Sequence, residues 1–212
     1  MKSIDFFALS FALAGSMCII SQWSDNYQRN ENHNNVVVLE NMDETHIIRK
    51  MERAEKKKIL LAQIQRVKNI QSCQKDYSCR LMAQAIYFEA RGESKKGQIS
   101  VGQVILERTK REGFPQTIHS VVHQKGSNGV CHFSYICDIE NGKINSSIFD
   151  KNSFANALDY AAGVIGNQYP NYVKNADHYY NPKKVKSTPY WVKEMKVIGH
   201  VGNHLFLSSN VK

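Results

Sequence analysis

A chain of 212 residues can bury one good core with an appendage, and 42% hydrophobic with 22% charged residues is a globular composition, not a disordered one. The net charge of +9 is uneven: residues 1–72 hold 10 basic and 8 acidic side chains (net +2), residues 73–212 hold 18 and 11 (net +7). Such a surface draws polyanions by long-range attraction, or is simply a soluble face; with no nucleic-acid motif beside the charge, nucleic acid is not an expected partner and an anionic envelope is.

The N-terminus reads as a targeting segment. Lys2 precedes an almost wholly apolar run from Phe6 to Ile20, uncharged as far as Trp23. About 18 residues is marginal for a spanning helix and long for a signal-peptide core. Residues 1–24 are therefore expected to be a signal peptide or a membrane anchor. Ala12-Leu13-Ala14 fits a cleavage site, and the cleaved and retained forms both stand. Asp25 to Asn35, polar and rich in asparagine, reads as a tether. From Asp43 to about Ile70 no Gly or Pro interrupts the chain, which predicts one long helix. Its apolar positions form a broken amphipathic pattern around the charged Arg53–Lys58 stretch, not a sustained heptad. That suits a stalk on a monomer, with coiled-coil pairing as the alternative. Residues 25–72 are thus read as tether and stalk, and 73–212 as the catalytic domain.

Within that domain the pattern predicts helices over Arg80–Ala90, Lys96–Arg111 and Ser153–Gly166, and a short turn or helix over Thr117–His123. Gly126–Asp138 reads as a loop or irregular strand. Short strands are expected at Ala176–Tyr180, Trp191–Ile198 and His204–Leu207. Helices first and strands later make the fold class α+β. Beyond Cys18, the cysteines form two pairs six residues apart, Cys73/Cys79 and Cys131/Cys137. In an exported protein they are disulfide candidates; free thiols and a metal site are the alternatives, and pairing across the two sets stays open.

The chemistry centres on Ile86-Tyr87-Phe88-Glu89-Ala90-Arg91-Gly92-Glu93. Glu89 and Glu93 stand four apart at the end of an apolar helix, beside aromatic rings and an arginine. A carboxyl against aromatic surface can hold its proton near neutral pH, as an acid that cuts a glycosidic bond must. No His-Glu-x-x-His or similar spacing surrounds Glu89, so neither metal nor cofactor is expected.

Glu89-Ala90-Arg91-Gly92-Glu93, the run Gly97–Arg108, Phe114-Pro115-Gln116-Thr117-Ile118, Cys131–Asp138, Ala176–Tyr180 and Gly202–Phe206 together resemble the cell wall hydrolase family named after the spore cortex-lytic enzyme SleB. The blocks stand in the family's order over roughly residues 79–207. The chain departs from the family at Glu107 (usually Asn), at His132 (usually Gln), and at Leu81 and His119, where many members carry cysteine.

The resemblance implies a lysozyme-like α+β fold and cleavage of peptidoglycan strands between N-acetylmuramic acid and N-acetylglucosamine, as a lytic transglycosylase or a hydrolase. It implies Glu89 as the general acid and base. Glu93 is the candidate second carboxylate for hydrolysis, or else an ordinary helix-end residue paired with Arg91. Tyr87, Arg91, Phe133, Ser134, His178 and Tyr179 are the candidate substrate contacts. The setting would be outside the cytoplasm, in wall remodelling or in phage-mediated lysis. An amidase that frees stem peptides and a non-catalytic wall-binding protein are the rival functions.

Overall fold

The computed structural model describes residues 44–209. The targeting segment and the polar tether lie outside the described residues.

Two compact units divide between Lys58 and Ile59. The described part of the first is the start of α1 (Glu44–Lys75), exposed at every residue, with Lys58 and Glu55 paired on its surface. The predicted long helix runs beyond Ile70 because nothing breaks it before Asp76.

The second unit begins inside α1, whose last turns belong to its core. Asn69 and Cys73 are buried, and Asn69 Nδ2 donates to Asp159 Oδ1 at 2.8 Å and to Gln168 Oε1 at 3.0 Å. Asp76 then caps α2 (Tyr77–Ala90), accepting from the Cys79 N–H at 2.6 Å. A disulfide between Cys73 and Cys79 closes this corner.

Helix α2 is the centre of the unit. Met82, Ala83, Ala85 and Ile86 have no exposed surface and pack against α3 (Lys95–Arg108) and α6 (Lys151–Ile165). The three helices meet closely at Gly102, where a Cβ would lie 3.0 Å from Ile86 and 3.3 Å from Val164. Between α3 and α6 come α4 (Ile118–Val122) and α5 (Ser134–Glu140). Helix α5 corrects the expected loop: Tyr135 and Ile136 are one step apart, too close for a strand to turn both inward, and a helical turn buries both. A second disulfide, Cys131–Cys137, ties α5 to the loop before it. Both pairings are local.

The sheet has the order β1-β3-β2, all antiparallel: β1 (His178–Tyr180), β2 (Met195–Val201) and β3 (His204–Ser209). Tyr179 faces Phe206 across the first ladder. The second ladder has a register irregularity between Val197 and Gly199. The expected strand from Trp191 begins instead as a 3-10 turn, Tyr190–Glu194, entered from Pro189. A small second cluster of Val104, Val173, Ala176, Val201 and Phe206 seats the sheet on α3. The architecture is α+β, dominated by helices.

Closing a loop of this size by a disulfide is worth about 2 kcal/mol, or roughly 4–8 °C in Tm for a domain of this length. Cys73→Ser with Cys79→Ser is expected to lower Tm by that amount, measured by circular dichroism. Non-reducing peptide maps should show Cys73 joined to Cys79, and Cys131 to Cys137.

Candidate active site

Glu89 lies on the last turn of α2, with its carboxylate accepting a hydrogen bond from the Tyr179 hydroxyl of β1. Burial dominates its chemistry and pushes its pKa from the ordinary 4.5 up to about 7. The Tyr179 hydrogen bond and the charges of Lys184 and Arg108 pull the other way, and Asp138 adds a small upward push. The Tyr179 hydroxyl is itself driven well above its usual value, by burial first and then by the Glu89 charge, so it stays a donor. Tyr135 is raised for the same two reasons. Its ring stacks on Phe88 at 4.8 Å, and its buried hydroxyl has no hydrogen-bond partner among the described residues.

Behind this group sits Arg108, the last residue of α3 and only 5% exposed. Its Nε donates to the Asp177 carbonyl at 2.6 Å, and its guanidinium lies 5.3 Å from the Phe114 ring and 5.5 Å from the Phe133 ring. One nitrogen, Nη1, is buried without a hydrogen-bond partner among the described residues.

Asp177, with no exposed side-chain surface, accepts from Arg111, from the Ser209 hydroxyl, from the Ser209 N–H at 2.8 Å and from His178 Nδ1 at 2.8 Å. Burial would raise its carboxyl. The hydrogen bonds from His178 and Ser209, with the His178 charge, outweigh that and hold it far below the usual carboxylate range.

The candidate second carboxylate points elsewhere. Glu93 follows the α2–α3 corner, and its oxygens accept from the Asn203 N–H and from Asn203 Nδ2, each at 3.0 Å. Burial pushes its pKa up, but the two Asn203 hydrogen bonds win and it lies below the ordinary value. Gly202, at φ +62°, allows the contact, because a Cβ there would collide with the Glu93 carboxylate. Glu93 therefore fastens the tip of the β2–β3 hairpin to the end of α2.

The other expected contacts divide. Tyr179 meets Glu89 directly. His178 is part-exposed beside Trp191 at 5.4 Å and Phe114 at 5.9 Å. Ser134 is exposed at the start of α5. Tyr87 and Phe133 are core residues, 2% and 1% exposed, which corrects their assignment to the substrate surface. The Tyr87 ring packs on Phe154, and its hydroxyl accepts from the Asp150 N–H at 3.2 Å, where α6 begins. Exposed Arg91 lies over that ring at 5.0 Å. Trp191, at the start of an expected strand, is half-buried.

Arg108, Asp177, Tyr135 and Lys184 were not among the expected site residues. A signal existed for Arg108: Val101, Val104 and Ile105 are buried on α3, and Arg108 completes that stripe at helical spacing. A charge on an apolar face is a buried charge.

The model of the Cell Wall Hydrolase family matches residues 92–207. The chain belongs to this family. The match opens at Gly92, just after Glu89, and includes Arg108, Asp177, Tyr179 and the hairpin. Similar curated proteins are the spore cortex-lytic enzyme of Halalkalibacterium halodurans, 30% identical over 145 residues, and that of Oceanobacillus iheyensis, 32% identical over 127. These alignments cover 68% and 60% of this chain but only 39% and 40% of the relatives' lengths. A solved structure, the catalytic domain of the germination-specific lytic transglycosylase SleB from Bacillus anthracis, is 27% identical with a TM-score of 0.46, covering 62% of this chain and 93% of that one.

A carboxyl raised from 4.5 to about 7 destabilises the fold when ionised, by about 3 kcal/mol. The folded state keeps its proton where the unfolded chain has lost it, so stability falls as pH rises from about 4.5 to about 7. Glu89→Gln removes that dependence. The variant is expected to gain on the parent across this window and to hold its advantage above pH 8. Denaturant unfolding at pH 4.5 and pH 8 measures it; an equal difference at both values would refute a buried, proton-holding Glu89.

Proposed function

We propose that this chain is an exported peptidoglycan glycosidase that cuts the bond between N-acetylmuramic acid and N-acetylglucosamine, working as a lytic transglycosylase on a lysozyme-like domain. One observation carries the reading. The Glu89 carboxyl is poised at about 7 by burial, with a tyrosine hydroxyl fixing its orientation. A general acid works best with a pKa near the operating pH.

The protonated Glu89 gives its proton to the glycosidic oxygen as the C1–O bond breaks, and the N-acetylglucosamine leaves as an alcohol. Positive charge develops on the muramyl ring while Glu89 becomes a carboxylate. The ring's own C6 hydroxyl closes on C1, and its proton passes to Glu89, which restores the acid and leaves a 1,6-anhydro end. Tyr179, which donates to the carboxylate, and the positive charges of Arg108 and Lys184 stabilise the ionised form between the two transfers.

Hydrolysis would need a second carboxylate to activate water or to attack C1. Glu93, the nearest candidate in sequence, has both oxygens engaged by Asn203. Transglycosylation needs only Glu89, which favours it. The two disulfides suit an oxidising compartment, and residues 1–24 would export the chain or hold it at the membrane. The role is turnover of bacterial wall.

Glu89→Gln is expected to lower the release of soluble fragments from purified peptidoglycan by about 10²–10⁴-fold. Mass spectrometry of the parent's products should find 1,6-anhydro-muramic ends. Reducing ends would make the enzyme a hydrolase, free stem peptides without glycan shortening would make it an amidase, and full activity of the variant would remove Glu89 from the chemistry.

The acid must be protonated at the start. On a pH profile, kcat/KM should therefore be level below about 7 and fall about tenfold per pH unit above it.

A further inference from the structure

Between β1 and β2 the chain leaves the sheet as an arm, residues 181–194, that the acid–base chemistry does not require. Both ends of the arm rest on β1. It departs from Tyr180, and Trp191 brings its ring back to 5.7 Å from Tyr180 and 5.4 Å from His178. The strand residue between those two, Tyr179, is the one bonded to Glu89. The arm is therefore rooted at the acid.

Its charge is one-sided. Residues 181–196 contain five lysines, Lys183, Lys184, Lys186, Lys193 and Lys196, against one acid, Glu194. Lys183, Lys184 and Lys186 are exposed. Lys183 Nζ donates at 3.3 Å to Asn203 Oδ1, on the same asparagine that holds Glu93, which sets the arm's first turn over the end of α2. The Lys184 charge reaches Glu89, Glu93 and His204 alike.

With its stems in place, a glycan strand offers these lysines no charge on its sugars, because each lactyl carboxyl is tied up as an amide. Its anions belong to the stem peptides. Each stem hangs from the lactyl group on C3 of a muramyl ring, the ring whose C1 is cut, so its carboxylates are tethered within one short, flexible peptide of the acid. Lysine, a hydrated point charge on a flexible stem, suits carboxylates on a mobile peptide better than a rigid fork would.

We propose that the arm spanning residues 181–194 binds the carboxylates of stem peptides, so that the Glu89 site selects glycan whose stems keep those carboxylates charged. This rests on the glycan-cleaving reading and adds its substrate class.

The test separates binding from turnover. Full-length Glu89→Gln protein is sedimented with sacculi freed of phosphate polymers by hydrofluoric acid, either intact or after carbodiimide coupling to ammonia has turned the stem carboxylates into neutral amides while leaving glycan and cross-links in place. Intact sacculi are expected to bind about tenfold more tightly, the scale several exposed ion pairs reach together. The preference should shrink as salt is raised from about 0.05 to about 0.5 M.

Adding Lys183→Ala, Lys184→Ala and Lys186→Ala should erase the preference, and arginine at the same three positions should restore most of it. Equal binding of the two sacculi by the Glu89→Gln protein, or a preference that survives the triple alanine change, would overturn the proposal. Failure of the unmodified protein to produce new glycan ends from either substrate would instead strike the glycosidase reading, and the binding ratio would still decide the arm.

Discussion

Asp177 is the constraint on which the site depends. Its side chain is wholly buried, and a buried carboxylate is tolerable only when charge and hydrogen bonds meet it. Here they do, from three directions. Arg111 reaches it from beyond α3, Ser209 from the end of β3, and His178 from the next position in the chain. Its own backbone is also engaged: the N–H donates to the Leu207 carbonyl at 3.0 Å, and the carbonyl accepts from Arg108. With so many groups satisfied at once, the start of β1 has one position. Tyr179, two residues on, is carried with it to Glu89. Three short strands would hold that geometry loosely by themselves; the buried ion pair specifies it.

Three carboxyls in one small domain show how far environment decides chemistry. Asp177 is wholly buried and Glu89 largely so. Asp177 is surrounded by donors and stays ionised. Glu89 has one tyrosine hydroxyl and more distant positive charge, and it keeps its proton to about 7. Glu93 is partly solvated and doubly hydrogen-bonded, and it stays ionised as a structural tie. Residue type alone distinguishes none of these roles.

The sequence made the first two layers legible. Helical periodicity located α2, α3 and α6 to within a few residues, because each buries one stripe and ends at a cap or a glycine. The block Glu89–Glu93 pointed to the corner where the candidate site lies. Three things were hidden, for different reasons. The inward turn of Tyr87 and Phe133 could not be told from an outward one, since an aromatic ring beside a catalytic carboxyl serves equally as wall or as surface. The Arg108–Asp177–Ser209 connection joins residues far apart in the chain, and no local pattern encodes a pair that meets only after the sheet has docked on α3. Helix α5 was missed because seven residues are too few for a period to show.

In the proposed reaction the acid would have to satisfy two opposite demands, and this would explain why a buried cation stands behind it. To start the reaction Glu89 must be neutral, which burial ensures. To finish it Glu89 must exist as a carboxylate long enough to take a second proton, which burial alone would oppose. A carboxyl raised without limit would donate poorly and never serve as base. Arg108 sets the limit. Fixed by the Asp177 carbonyl and seated between Phe114 and Phe133, it cannot swing into water, and its unpartnered Nη1 keeps positive charge available on the buried side. The same charge is costly to bury, which is why the strand and helix that hold it are fastened so heavily around Asp177.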